Sequence, residues 1–297
     1  MANEVNIINP DPYCPVRLTQ ILNRGRHTDK FCVEVQKPDS DEFMELPGVA
    51  TVHGADYALI PNARIHELAQ DVMRNAGLAF QPVPSFGGGH SAPLTWTGKN
   101  YLERWYTPDV KIQLPTGSQV MLGIEVRNSY DKSCRAGLAF FAMHVACSNQ
   151  FHGHNILGEA FSFRHTDADS LGDNLNDAVN QIGQQAENFA QILPKIKMLS
   201  ETRVGGLKGF LEVRNRMIEQ TGLEFRDKGI LDELGGHGVT KKLGINVGTA
   251  YGDPDTYWAL ANAFTAITTH QVGGLRGCDH SGRALDFLLE DAGRVAA

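Results

Sequence analysis

An alternating apolar stretch in the middle of the chain constrains the fold more than any other feature. Val120, Leu122, Ile124 and Val126 are each separated by one residue. Successive side chains of a strand point to opposite faces of a sheet, so this spacing predicts a strand with one buried face. The run NSYDKS at residues 128–133 follows and is rich in residues that favour turns.

A second apolar run, at residues 140–147, follows that turn. It carries apolar residues on both faces, as in the adjacent pair Phe140 and Phe141, which predicts a strand covered on both sides. Phe161 and Phe163 indicate a third, short strand. We therefore predict a meander of antiparallel strands whose connections carry the polar residues.

Helical periodicity flanks this strand region on both sides. Residues 62–77 predict a helix with Asn62 as N-cap and Gly77 at its C-terminal end. Residues 171–193 show the strongest amphipathic pattern, which Pro194 is expected to kink because proline removes a backbone donor. Further helices are predicted over residues 207–221 and 225–234, from an N-cap at Asp253, and from Ser281 onward.

The order of these elements predicts an α+β fold. A mostly antiparallel sheet over about residues 57–166 is preceded by one helix and followed by a helical half that packs on the sheet. Residues 1–50 have no clear period and are interpreted as an irregular arm with one candidate strand at residues 31–35. Residues 51–168 then form the core with its central hairpin, and residues 169–297 form a helical region of the same domain.

Composition limits the class of protein. The chain has 297 residues, of which 42% are apolar and 21% charged, as in packed globular proteins. No apolar run approaches the roughly 20 residues that span a bilayer, and the first residues lack the pattern of a signal peptide. Five irregularly spaced cysteines indicate thiols rather than a disulfide framework. We therefore expect a cytoplasmic protein with no membrane partner.

Charge is unevenly distributed along the chain. The net charge is −7, but residues 95–165 hold 7 Lys and Arg against 5 Asp and Glu. Basic residues alternate there with aromatic residues, as in proteins that track a phosphate backbone and stack bases, and a second basic segment begins at Lys195. The predicted nucleic-acid contacts are Arg104, Lys111, Arg127, Tyr130, Lys132, Arg135, Arg164, Lys195 and Lys197.

The densest group of metal-ligand residue types comprises His144, Cys147, His152 and His154. Its spacing matches no zinc signature, and an offset of three on one strand would place His144 and Cys147 on opposite faces. A buried thiol with core and loop histidines is the favoured interpretation, so no metal and no other cofactor is predicted. No serine or cysteine nucleophile motif occurs, and no catalytic residue is assigned.

Four short motifs occur in a fixed order: NSYD at residues 128–131, CSN at 147–149, RHT at 164–166 and YWALANAFT at 257–265. Their order and spacing resemble a phage- and plasmid-related family catalogued as domain of unknown function 932, over roughly residues 57–270. Where that family has glycine after CSN, this chain has Gln150. The resemblance implies a phage or mobile-element context rather than a particular chemistry.

These observations lead to three hypotheses. The first is a phage or mobile-element protein that binds single-stranded DNA as a homo-oligomer, a ring or a filament, with strand annealing as its associated activity. The order of helix, antiparallel strands and long helix also resembles ring-forming single-strand annealing proteins. The second is an interaction factor that binds a host defence or replication protein without DNA. The third is a metal-dependent nuclease or hydrolase that uses the His144–His154 region.

Overall fold

The computed structural model describes residues 11–24, 26–46, 53–84, 93–114, 116–152, 157, 161–163, 165, 175–242, 250–272 and 274–296. The strands are β1 Val16–Asn23, β2 Arg26–Gln36, β3 Phe43–Glu45, β4 Gln81–Pro82, β5 Leu94–Trp96, β6 Asn100–Gln113, β7 Gln119–Ser129, β8 Ala136–His144, β9 Asn149–Phe151 and β10 Phe161–Phe163. The α-helices are α1 Asn62–Asn75, α2 Leu175–Asn188, α3 Ile192–Glu201, α4 Gly206–Thr221, α5 Asp227–Leu234, α6 Val239–Lys242, α7 Tyr257–Ile267 and α8 Gly274–Ala296.

The fold is α+β, as predicted, with two antiparallel sheets. The first has the order β1-β2-β3, and the second has the order β10-β8-β7-β6-β4, with β5 paired to β6 and β9 paired to β8. The central hairpin pairs β7 with β8 from Val120 opposite His144 to Arg127 opposite Gly137. One apolar cluster joins this sheet to the C-terminal helices, so the helical half packs on the sheet.

Strand β7 is covered on both faces, whereas the sequence predicted one buried face. Ile124 and Val126 lie in the main core, as expected. Met121, Gly123 and Glu125, on the opposite face, are buried too. Residues from the C-terminal helix α8 reach this second face, a contact that alternation within β7 cannot reveal.

Gly123 provides the space for an aromatic ring on that second face. It lies directly opposite Phe141 in the β7–β8 pairing, and Phe141 is fully buried. A Cβ atom built on Gly123 would come within 2.3 Å of the Phe141 ring. No side chain larger than hydrogen fits without displacing the ring.

Substituting Gly123→Ala is therefore expected to lower the free energy of unfolding by about 1–3 kcal/mol, the usual cost of overpacking a core. Gly183→Ala is the matched control, because Gly183 lies within α2 with nothing near its Cβ position. That change should raise stability by about 0.5–1 kcal/mol, since alanine favours helix over glycine. Urea unfolding measures both, and an equal effect of the two substitutions would contradict the packing argument.

The N-terminal arm is not irregular. It forms the sheet β1-β2-β3, and the candidate strand at residues 31–35 lies inside β2. Val33 and Val35 pack there with Leu46 and with Tyr130 from the turn after β7. The alternation was hard to recognise because few residues of this sheet are buried and many are charged.

Several helix ends differ from the predicted ones. Asn62 does not cap α1, because its buried side chain donates to the Pro12 carbonyl and accepts from Asn128. Helix α7 begins after Thr256, whose side chain accepts from the Ala259 amide, rather than from an N-cap at Asp253. The local sequence offers several capping residues, and tertiary contacts select among them.

The long amphipathic segment is interrupted before Pro194. A 3₁₀ turn at Phe189–Gln191 separates α2 from α3, and Pro194 lies in the first turn of α3, where a missing amide costs little. Helix α8 begins at Gly274 instead of Ser281, directly after a π-helical segment at Thr268–Val272. The earlier start of α8 brings Cys278 onto a helix.

No helix among the described residues combines the length and the apolar character needed to cross a bilayer.

Candidate functional site

A cleft of about 510 Å³ lies between the β7–β8 hairpin and helix α8. Arg127 and the turn residues Ser133 and Cys134 line its sheet side. Four charged residues of α8 line the other side at a spacing of three, four and three, which places them on one face of the helix. They are Arg276, Asp279, Arg283 and Asp286.

A buried group of polar side chains, which we call the Glu125 cluster, adjoins the cleft. It comprises Glu125, Arg104, Arg127, His152 and Cys278. Arg104 lies opposite Glu125 in the β6–β7 pairing, and its Nε is 3.6 Å from Oε2 of Glu125. The Nε of Arg127 contacts Oε1 of the same carboxylate. Glu125 and Arg104 are almost completely buried, while Arg127 reaches the cleft.

Two further members approach Glu125 from outside the hairpin. The Cys278 thiol of α8 donates to Oε2 of Glu125 over 2.7 Å. Nε2 of His152, just after β9, lies 4.0 Å from the same oxygen. Ser281 holds β9 and α8 together, since its hydroxyl donates to the Gln150 carbonyl over 2.9 Å.

The surroundings determine the protonation states of the cluster. Burial would raise the pKa of Glu125, but the charges of Arg127, His152 and Arg104 outweigh it and hold the pKa at about 2. Burial lowers the pKa of His152 to about 4 and raises the pKa of Cys278 to about 12. At neutral pH the cluster therefore holds one carboxylate, two guanidinium groups, a neutral imidazole and a thiol.

Three members of the cluster offer atoms of the kinds that bind metal ions. One ligand atom each of Glu125, His152 and Cys278 lies within 4.8 Å of the others. The four metal-ligand residue types that lie close together in the sequence do not form one site in the structure. His152 belongs to the Glu125 cluster, His144 and Cys147 lie together elsewhere, and His154 falls outside the described residues.

His144 and Cys147 are neighbours, contrary to the prediction that they lie on opposite faces. Strand β8 ends at His144, and the following turn brings the Cys147 sulfur to 3.3 Å from its Nδ1. His144 Nδ1 also lies 3.0 Å from Oδ1 of Asn262, and its Nε2 lies 2.7 Å from the Ser118 hydroxyl. Burial raises the pKa of Cys147, so this is an inert buried thiol, as favoured from sequence.

A second cavity of about 450 Å³ adjoins the cleft. Its lining contains two cations, Lys132 and Arg135, one carboxylate, Asp56, and the rings of Tyr57 and His165. It shares Ser133 and Cys134 with the cleft. The two cavities therefore meet at the turn after β7. We call their combined cationic lining the basic groove, which consists of Arg127, Lys132, Arg135, Arg276 and Arg283.

Aromatic rings lie in the second cavity rather than where the sequence suggested. The ring of Tyr57 stacks on His165 with centroids 5.2 Å apart and on His53 with centroids 3.8 Å apart. The Lys132 ammonium lies 5.6 Å from the Tyr57 centroid. Tyr57 and His165 are only 7% and 9% exposed, so these rings are already packed and the cavity offers a ligand mainly its cations.

The structure removes two predicted contacts from any nucleic-acid interface. Arg104 is 2% exposed and paired with Glu125. Tyr130 is 1% exposed, and its hydroxyl accepts from the Asn62 amide over 2.9 Å. A base cannot stack on a ring face that is already packed inside the protein.

The other predicted contacts are divided between the groove and more distant surfaces. Arg127, Lys132 and Arg135 belong to the basic groove, whereas Lys111 on β6 and Lys197 on α3 are exposed outside it. Two predicted contacts are left, Lys195 and Arg164. Lys195 lines a separate small cavity with Leu157 and Phe189, and Arg164 lies outside the described residues.

The second basic segment is largely neutralised by carboxylates, which the sequence reading did not anticipate. Its cations lie on α3, on α4 and in the connection between them, and five of them form ion pairs. The pairs are Lys197 with Glu201, Arg203 with Asp253, Lys208 with Glu212, Arg214 with Asp227 and Arg216 with Asp291.

Sequence reasoning missed Arg276 and Cys278 because it started the last helix at Ser281. Extending the helical pattern back to residue 274 would have placed the charged residues of this segment on one face. Their contact with β7 could not have been found in this way, because Cys278 and Glu125 are 153 residues apart.

Comparisons with known proteins found no relative of this chain. The chain matches no protein-family model, and searches of curated proteins and of solved structures return no match. The fold and the site therefore rest on the residues described above, and the resemblance to the domain of unknown function 932 stays a prediction.

Proposed function

We propose that this protein binds single-stranded DNA along the basic groove. The observation that carries the proposal is the position of five cations around two adjoining cavities on either side of one turn. The same linings contain three carboxylates, Asp56, Asp279 and Asp286. Arg283 pairs with Asp279, and Arg127 pairs with Glu125 behind the cleft, which leaves five cations against four carboxylates. The groove therefore has a cationic excess in a chain whose net charge is −7.

The arrangement suits an extended polyanion for physical reasons. Arginine presents a planar set of donors that matches phosphate oxygens, and three of the five groove cations are arginines in the cleft. The second cavity adds the exposed cations Lys132 and Arg135, so that cations line both cavities along the path of one strand. Single strands bend more readily than duplexes and can follow two cavities that meet at a turn.

Other parts of the proposal come from the sequence. Four points stay predictions: a phage or mobile-element origin, annealing activity, assembly into a ring or filament, and a cytoplasmic location. The presence of all five cysteines as thiols supports that location. Mass photometry of the purified chain with and without oligonucleotide tests assembly, and a strand-annealing assay tests activity.

The decisive experiment measures the binding of a fluorescent single-stranded oligonucleotide over a range of salt concentrations. The triple variant Lys132→Gln, Arg135→Gln and Arg276→Gln should bind at least about tenfold more weakly than the wild type. The slope of log affinity against log salt should also become shallower by about 2, since each phosphate contact contributes about 0.7 for single strands.

A matched triple variant, Lys111→Gln, Lys197→Gln and Lys208→Gln, removes the same charge from exposed positions outside the groove. It should keep the wild-type slope. Equal weakening by both triple variants would show that net charge alone governs binding. A folded wild-type protein that binds no oligonucleotide at low salt would overturn the proposal.

A partner protein is the second candidate function, and one surface favours it. An apolar cavity of about 250 Å³ lies between α4 and α5. Leu207 and Leu231 line it and are 61% and 38% exposed, a degree of exposure typical of interaction surfaces when apolar residues are contiguous. Affinity purification from host extract, compared between the wild type and Leu207→Asp, tests this alternative.

A further inference from the structure

We propose that Glu125, His152 and Cys278 form a binding site for a divalent metal ion, with zinc as the ion that fits the donor set, open toward the cleft. The proposal does not depend on DNA binding by the basic groove. It concerns three side chains from β7, from the residue after β9, and from α8.

The donor set carries the first step of the argument. A carboxylate oxygen, an imidazole nitrogen and a thiolate are the three ligand types that zinc accepts in proteins. Calcium and magnesium prefer sites made only of oxygen ligands. Three protein ligands and an open position are typical of zinc sites that bind water or a substrate, whereas purely structural sites have four protein ligands.

The distances carry the second step. With metal–ligand bonds of about 2.0–2.3 Å, the ligand atoms of a tetrahedral zinc site lie roughly 3.3–3.7 Å apart. Here the Cys278 sulfur is 2.7 Å from Oε2 of Glu125, and Nε2 of His152 is 4.0 Å from it. The two distances bracket the required value, so small side-chain rotations would complete the geometry.

The environment of His152 is an independent indication. His152 is 5% exposed, and its Nε2 lies 4.0 Å from Oε2 of Glu125, too far for a hydrogen bond. Buried polar atoms are nearly always hydrogen-bonded. The ion pairs with Arg104 and Arg127 explain why Glu125 is buried, but they do not explain why an imidazole and a thiol converge on it. A metal ion held between the three does.

The charges indicate what would occupy the fourth position. Without metal, one carboxylate and two guanidinium groups sum to +1. A metal ion adds +2 and the Cys278 thiolate adds −1, because binding displaces the thiol proton, so the total becomes +2. His152, Cys278 and Arg127 all line the cleft. An anionic oxygen ligand from the cleft would reduce the excess positive charge, so anion binding and metal binding should strengthen each other.

Cobalt substitution tests the site without nucleic acid. The full-length chain is treated with chelator and titrated with Co²⁺, and we expect one ion per chain with tetrahedral ligand-field bands and a thiolate-to-cobalt charge-transfer band. Zinc should displace the cobalt. Cys278→Ser should abolish the charge-transfer band, and His152→Gln should weaken binding.

Cys134→Ser is the matched control, because Cys134 lines the same cleft but lies outside the three-ligand group. It should keep the complete spectrum. Adding sulfate should tighten cobalt binding and shift the ligand-field bands, whereas unchanged affinity and bands would overturn the open position. A folded wild-type chain that binds no cobalt, or a charge-transfer band that persists in Cys278→Ser, would overturn the site. Failure of DNA binding would leave each of these results unaffected.

Discussion

Replacing Glu125 with glutamine is expected to lower the free energy of unfolding by about 3–5 kcal/mol, measured on the metal-free protein. The substitution keeps the size of the side chain but removes the negative charge beside Arg104, which is 2% exposed. A buried guanidinium without a counter-charge is costly, because the interior solvates it far less than water does. Arg127 can turn toward the cleft, so Arg104 bears most of the loss.

A double variant separates this charge effect from loss of packing. Arg104→Met combined with Glu125→Leu replaces the buried pair by apolar side chains of similar size, a change that is often neutral or stabilising. We expect the double variant to recover most of the stability that Glu125→Gln loses. Urea unfolding of each protein gives the free energies. A loss below about 1 kcal/mol for Glu125→Gln would mean that the pair does not act as a buried ion pair.

Stability is expected to fall steeply as the solution is acidified from neutral pH. Burial lowers the pKa of His144 from 6.5 to about 4, and it lowers the pKa of His270 from 6.5 to about 4 as well. Between pH 6.5 and pH 4 the unfolded chain therefore holds a proton on each imidazole that the folded chain lacks. Acid then favours the unfolded state, because that state binds more protons.

The expected slope follows from the number of protons. Each histidine contributes about 1.4 kcal/mol per pH unit in the middle of this window. His152, whose pKa is also lowered to about 4, adds a third share, so the three together contribute about 4 kcal/mol per unit. Unfolding free energies measured in urea at several pH values between about 7 and 5 give the slope. His144→Gln and His270→Gln should each reduce it by about a third. A slope that neither substitution changes would assign the acid sensitivity to other groups.

Local patterns in the sequence determined much of the fold. The alternation from Val120 to Val126 predicted β7, and the helical period ending at Gly222 predicted α4. Gly222 has a positive φ of 66° at the C-terminal end of that helix, a conformation that glycine adopts without strain. These predictions hold because hydrogen bonding and side-chain direction repeat over a few residues, so that neighbouring positions carry the information.

Prediction failed where distant segments meet. The second face of β7 carries Glu125 and Gly123, which alternation alone assigns to solvent. Cys278 covers this face from 153 residues away. Tyr130 looked like an exposed aromatic residue in a turn, but it packs against Val33 of the N-terminal sheet. No period within the chain records such contacts.

The sequence by itself therefore determined the α+β class, the central hairpin and the cationic character of its surroundings. Only the tertiary structure decided which cations face solvent. Arg104 is buried and paired with Glu125, whereas Arg276 is exposed. The tertiary structure also brought Glu125, His152 and Cys278 together. The physical reason is that burial and charge pairing depend on which surfaces pack against each other, and this packing is a property of the whole folded chain.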